Sequence, residues 1–108
     1  MEFDELTEFV EKQHEILKDF YGFKDKKDMM YPMMLKIMEE LGELSQAVLA
    51  NESLQREDKL VGLKGELEGE FADTLITTML LAHNMDIDIR KALVEKIEKI
   101  KDRFSKEK

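Results

Sequence analysis

The stretch from Phe71 to Asn84, FADTLITTMLLAHN, contains a single formally charged residue, Asp73. A helix that is apolar nearly all round belongs in a core, so Asp73 is expected to be buried or nearly so. A buried carboxylate with no partner is costly and tends to take up a proton instead. Glu70 precedes Asp73 by three residues and shares its helical face. A second pair at the same spacing, Glu40 and Glu43, stands in Met38-Glu39-Glu40-Leu41-Gly42-Glu43-Leu44. With few basic residues nearby, four carboxylates on two helices point to a hard divalent cation held by oxygen ligands, magnesium first.

The rest of the chain also reads as helix. It has one proline, five glycines and no strictly alternating segment. A first helix is expected from about Phe3 to Tyr21, with Phe3, Leu6, Phe9, Val10, Gln13, Ile16, Leu17 and Phe20 as its apolar stripe and Gly22 as its cap. Lys24 to Asp28 reads as a loop, and Pro32 suits the first turn of a second helix running to about Ala50. Asn51 to Asp58 is a connector. A third helix begins between Asp58 and Glu66 and is strong from Glu70 to His83, its first half weakened by Gly62, Gly65 and Gly69. A fourth, capped by Asp86 or Asp88, runs to about Phe104 with Ile89, Leu93, Val94, Ile97, Ile100 and Phe104 on one face. Short loops join three of these helices, so the expected fold class is all-α, a four-helix antiparallel bundle in one domain spanning residues 1–108.

On a helical wheel of the second helix, Met34, Ile37, Met38, Leu41, Leu44, Ser45 and Val48 form the apolar stripe. Glu40 lies at its edge, Glu43 lies further round on the side of Ala47 and Ala50, and Glu39 points away from both. On the third helix the stripe is Leu60, Leu63, Leu67, Phe71, Thr74, Thr78 and Leu81, with Glu70 inside it and Asp73 one step aside. The two acidic pairs face each other if these helices pack antiparallel. A salt bridge to Lys36 or Lys64 is the ordinary alternative, and it accounts for one carboxylate rather than four.

Net charge narrows the partners. Lys and Arg total 17 against 25 Asp and Glu, a formal charge of -8, which argues against nucleic acid or an anionic membrane as the main partner. A small anion is still admissible, because a bound cation inverts the local field. No cysteine is present, so disulfides, thiolate metal sites and cysteine nucleophiles are excluded. The N-terminus lacks a signal-peptide pattern and no apolar run reaches membrane-spanning length, so a cytoplasmic location is expected.

Glu39-Glu40-Leu41-Gly42-Glu43, followed downstream by Glu70-Phe71-Ala72-Asp73, resembles the EExxE…ExxD signature of the all-α nucleoside triphosphate pyrophosphohydrolases: MazG, the dimeric dUTPases and the phosphoribosyl-ATP pyrophosphatases. The likeness extends through Asp86 to Leu93 and Lys96 to Lys99. It implies cleavage of a nucleoside triphosphate to monophosphate and pyrophosphate, with magnesium, or manganese in its place, on Glu40, Glu43, Glu70 and Asp73. It also implies Lys96 and Arg103 as phosphate-binding residues, and a spare carboxylate, Glu39 or Glu40, is the expected general base toward the attacking water. Relatives pair, so a homodimer or homotetramer is expected, as is a role in cleaning the nucleotide pool. The chain departs from the pattern at Thr77 and Ile100, and it has no tryptophan to stack on a base. Phe20, Tyr21, Phe23 and Tyr31 are candidate stackers in its place.

Three rival readings stand beside this one. Phosphoribosyl-ATP cleavage would use the same carboxylates. A di-iron bundle needs two Glu-x-x-His motifs, and this chain has one, Glu11 to His14, with His14 expected at the surface. A catalytically silent helical interaction module could use Met29, Met30, Met33, Met34 and Met38 as an adaptable groove, although core or subunit packing is the commoner use of such methionines.

Overall fold

The computed structural model describes residues 1–52 and 67–106. Among these there are four helices and no strand, as the periodicity predicts: α1 (Phe3–Tyr21), α2 (Lys26–Asn51), α3 (Leu67–Asn84) and α4 (Ile89–Lys106). The expected start of the third helix, with Gly62, Gly65 and Lys64, lies outside the described residues.

Gly22 closes α1 in the left-handed conformation at φ +70°. Its N–H donates to Asp19 and that of Phe23 to Lys18, the paired bonds that satisfy a helix's last carbonyls. The segment expected to be a loop already belongs to α2, which begins at Lys26. Asp25 Oδ1 accepts from the Asp28 backbone N–H at 2.9 Å, an N-cap that starts the helix six residues before Pro32. Pro32 is therefore interior. Its missing N–H deprives the Asp28 carbonyl of a helical partner, and both residues are exposed, so water can supply one.

The α3–α4 corner uses the device that ends α1, but with Asp86 in the glycine position at φ 59°. Ile87 N–H donates to Ala82 at 2.9 Å and Asp86 N–H to His83 at 3.1 Å. Lys26, the first residue of α2, holds the Asp86 carboxylate in an ion pair, and this pairing keeps its pKa below the ordinary value. Of the two candidate caps, Asp88 begins α4 by accepting from Lys91 N–H at 3.1 Å.

α3 is the central element and runs against both α1 and α2. His14 of α1 meets Asn84 at the end of α3, and Asn84 Nδ2 donates to the Lys26 carbonyl at the start of α2. Val10, Met29, Ala47, Ala50 and Leu80 form the core. The packed faces are rotated from the stripes expected on the wheel. α2 turns Met29, Glu40, Ala47 and Ala50 inward and leaves Met34, Met38 and Leu41 about half exposed. α3 buries Leu80 and Asn84 and leaves Phe71 and Leu75 open. The small Ala47 and Ala50 lie on the buried side that also carries Glu40. Bulkier apolar residues, which a wheel weights most heavily, face outward.

His14 is a correction. Expected at the surface, it is 1 % exposed, because positions 10, 14 and 17 share a face and that face packs on α3. Asn84 spends its amide N–H on Lys26, so its Oδ1 must accept from His14 Nε2, at 2.9 Å. The His83 ring stacks edge-on at 4.8 Å.

α4 meets the other helices chiefly near its start, where Arg90 pairs with Asp4 at 2.6 Å and lies over the Phe3 ring. From Arg90 to Ser105 every residue is exposed, including Leu93, Val94, Ile97 and Phe104. The radius of gyration is 17.2 Å, against about 13 Å for a compact domain of this length.

Candidate metal and nucleotide site

α2 and α3 bring the two acidic motifs together. One carboxylate oxygen from each of Glu40, Glu70 and Asp73 lies within 4.8 Å of the others, and the same is true of Glu39, Glu40 and Glu43. Glu40 belongs to both groups. It is 5 % exposed, held at the middle of α2 on the face that packs against the start of α3.

Burial along this site is graded. Glu40 is buried, Glu70 half-buried and Asp73 exposed, so the expectation that Asp73 is covered fails within one chain. The reason is the rotation of α3, which leaves Asp73 at the open rim of the contact with α2. Glu39, which the wheel turned away, joins the cluster; its flexible side chain reaches back along the helix. Lys96 and Arg103 do not join it. Both are exposed on α4, and among the described residues no hydrogen bond or ion pair links either to these carboxylates.

The electrostatics follow from the crowding of like charges. Glu40, the nearest neighbour in effect, raises the Glu43 pKa above its ordinary value, with some burial and the charges of Glu70 and Glu39 adding to it. One cation answers. Lys36 Nζ stands 3.1 Å from Glu40 Oε1 and 3.5 Å from Glu39 Oε1, and the Glu40 hydrogen bond raises its own pKa. Of the two salt bridges weighed above this is the one with Lys36, and among the described residues no other ion pair to the cluster is found. Glu40 Oε2 and Glu70 Oε2 are buried and have no hydrogen-bond partner among the described residues. Two orphaned carboxylate oxygens on facing helices, with further carboxylates at the rim, fit a hard divalent cation.

Beside the cluster lies an apolar cavity of about 340 Å³. Leu17, Tyr21 and Phe23 line one side, Met29, Pro32, Met33 and Lys36 another, and Thr77 and Leu80 close it. It is joined to the acidic group through Lys36, which pairs with Glu40. Thr77 spends its hydroxyl within α3, on the Asp73 backbone carbonyl at 2.8 Å. Of the candidate aromatic stackers, Tyr21 and Phe23 reach this cavity, while Phe20 and Tyr31 are exposed and are not among its lining residues. The wheel undervalued Lys36; its signal was its place three and four residues before Glu39 and Glu40.

The family model of the MazG nucleotide pyrophosphohydrolase domain matches residues 30–106. The chain belongs to that family. This match covers most of α2 and all of α3 and α4, including every carboxylate of the cluster, and makes nucleotide pyrophosphohydrolase activity and dependence on a metal the general expectation for this MazG domain. Neither the curated proteins nor the solved structures include a significant match to the chain. Among the described residues no helix is long and apolar enough to cross a membrane.

Proposed function

We propose that this MazG-family chain, as a single domain, hydrolyses nucleoside triphosphates to monophosphate and pyrophosphate with magnesium, or manganese, as cofactor. The observation that carries the proposal is the meeting of Glu39, Glu40 and Glu43 with Glu70 and Asp73, two of whose buried oxygens have no hydrogen-bond partner among the described residues. Glu40, Glu43, Glu70 and Asp73 are the proposed ligands. The bound cation supplies charge neutralisation for the phosphates and lowers the pKa of water.

The protein's own groups divide the remaining work. Glu39 is exposed and lies outside the group formed by Glu40, Glu70 and Asp73, so it is better placed than Glu40 to take a proton from the attacking water. The water oxygen bonds to phosphorus, the bond between the α and β phosphates breaks, and pyrophosphate leaves. The cavity between Tyr21, Phe23 and Leu80 has the apolar lining that a nucleobase needs.

The proposed assembly is a homodimer or homotetramer. Its support is the uncovered apolar side of α4, together with Met38 on α2 and Leu75 on α3. Lys96 and Arg103, which lie away from their own chain's carboxylates, would then reach phosphates at a neighbouring copy's site. Cleaning of a cytoplasmic nucleotide pool is the proposed role. Nucleic acid and membrane are not proposed as partners, given the charge of -8.

The test is pyrophosphate release from a panel of ribo- and deoxyribonucleoside triphosphates, with magnesium and then with a chelator. Equimolar monophosphate and pyrophosphate, abolished by the chelator, is the expected result. Release from phosphoribosyl-ATP alone would move the substrate to that branch of the superfamily. No product from any of them, with no shift in melting temperature on adding magnesium, would return the chain to a silent interaction module.

A further inference from the structure

Lys36 belongs to both halves of the site. Its ammonium lies between the carboxylates of Glu39 and Glu40, and its side chain forms one wall of the apolar cavity. It is the one basic residue among those lining that cavity. The side chain is half exposed, at 51 %, so its four-carbon stem has room to turn.

A nucleotide is a linear molecule, and its order constrains what Lys36 meets. With the base in the cavity and the outer phosphates at the carboxylate cluster, the α-phosphate falls at the boundary between them. Lys36 occupies that boundary. Building on the nucleotide reading above, we infer that Lys36 is the residue that grips the substrate's α-phosphate, and that its pairing with Glu39 and Glu40 is the resting position of that ammonium. While the site is empty, the ammonium partly neutralises carboxylates that would otherwise repel one another. Once a divalent cation neutralises them, the attraction holding Lys36 weakens. A short swing about its stem then carries the ammonium to an α-phosphate oxygen, where negative charge is concentrated during cleavage. Lys36 would therefore do the near-phosphate work for which Lys96 and Arg103, remote on α4, are badly placed within the same chain.

Two variants separate this role from a merely structural ion pair. Lys36→Met keeps the apolar stem and removes the charge; Lys36→Arg keeps the charge. Calorimetric titrations with magnesium alone, with a nucleoside monophosphate plus magnesium, and with inorganic pyrophosphate plus magnesium read the three parts of the site independently of turnover. For Lys36→Met, magnesium alone should bind at least as tightly as to the wild type, because a competing cation has gone. Monophosphate affinity should fall about tenfold to a hundredfold, the worth of one charge-assisted hydrogen bond, while pyrophosphate affinity stays within about twofold. Lys36→Arg should recover most of the monophosphate affinity. Equal losses for both phosphate ligands, unchanged monophosphate binding, or weaker magnesium binding in Lys36→Met would overturn the assignment and leave Lys36 as an organiser of the carboxylates. A wild type that binds none of the three would overturn the nucleotide reading together with this one.

Discussion

Replacing Glu43 by Gln should abolish turnover and, with metal absent, make the protein more stable. Both effects come from the same charge. Loss of a proposed direct metal ligand should lower kcat/KM by more than about 100-fold, since removing groups that only orient ligands already costs about 10–100-fold. Stability moves the other way because the charge of Glu40 raises the Glu43 pKa above its ordinary 4.5. A carboxylate with a raised pKa favours the fold while it is protonated. That contribution is fully present below about pH 4.5 and is lost as pH rises through the raised value. At neutral pH the wild type therefore carries a repulsion that Glu43→Gln lacks, and the difference should shrink as the solution is acidified. Thermal melts in chelator across pH 4 to 8, beside melts with magnesium, provide the check. Magnesium should raise the wild-type midpoint and leave that of Glu43→Gln nearly unmoved. A variant that is less stable than the wild type in chelator at neutral pH would mean that the carboxylates do not repel one another as the geometry indicates.

Met29→Ala should be the most damaging single change to the fold. Met29 has 0 % exposure and lies against the cavity that also holds Leu80 and Leu17. Truncating a buried methionine costs about 2–5 kcal/mol when the surroundings cannot close over the gap, and an existing cavity next door makes closure harder. A domain of this size loses about 4–8 °C of melting temperature per kcal/mol, so the shift should be plain in a thermal or denaturant melt. Met38→Ala is the control. Met38 is 60 % exposed, and its truncation should change unfolding of the isolated chain by less than about 0.5 kcal/mol. If Met38 lies between copies, the same change should weaken association as read by light scattering. Equal destabilisation by the two substitutions would contradict the packing of α2.

These two methionines also show what could be read from the sequence. Helix content, the Gly22 cap and the spacing that sets Glu40 beside Glu43 and Glu70 beside Asp73 were legible because local sequence determines them. Which side of α2 faces inward was not. A wheel weights size and hydropathy, whereas the buried side of α2 carries the small Ala47 and Ala50 together with Glu40. On α3, nearly every face is apolar, so periodicity gives no direction; burial is decided by Asn84, which is tied to His14 and Lys26. His14 was misplaced for the related reason that its burial depends on an amide seventy residues away. The start of α2 was missed because Pro32 is a louder signal than the Asp25 cap that overrides it.

The corner at Asp86 has a mechanical consequence. α4 has 18 residues and, at about 1.5 Å each, forms an arm about 27 Å long, so a turn of about 10° at its root displaces its tip by about 5 Å. The root is a left-handed aspartate held by Lys26, whereas glycine would adopt that conformation unaided. The first residue of α2 thus helps to aim the arm that carries Lys96 and Arg103. A single exposed ion pair, weakened by salt or by acid that protonates Asp86, acts with that leverage on where the far cationic residues come to rest.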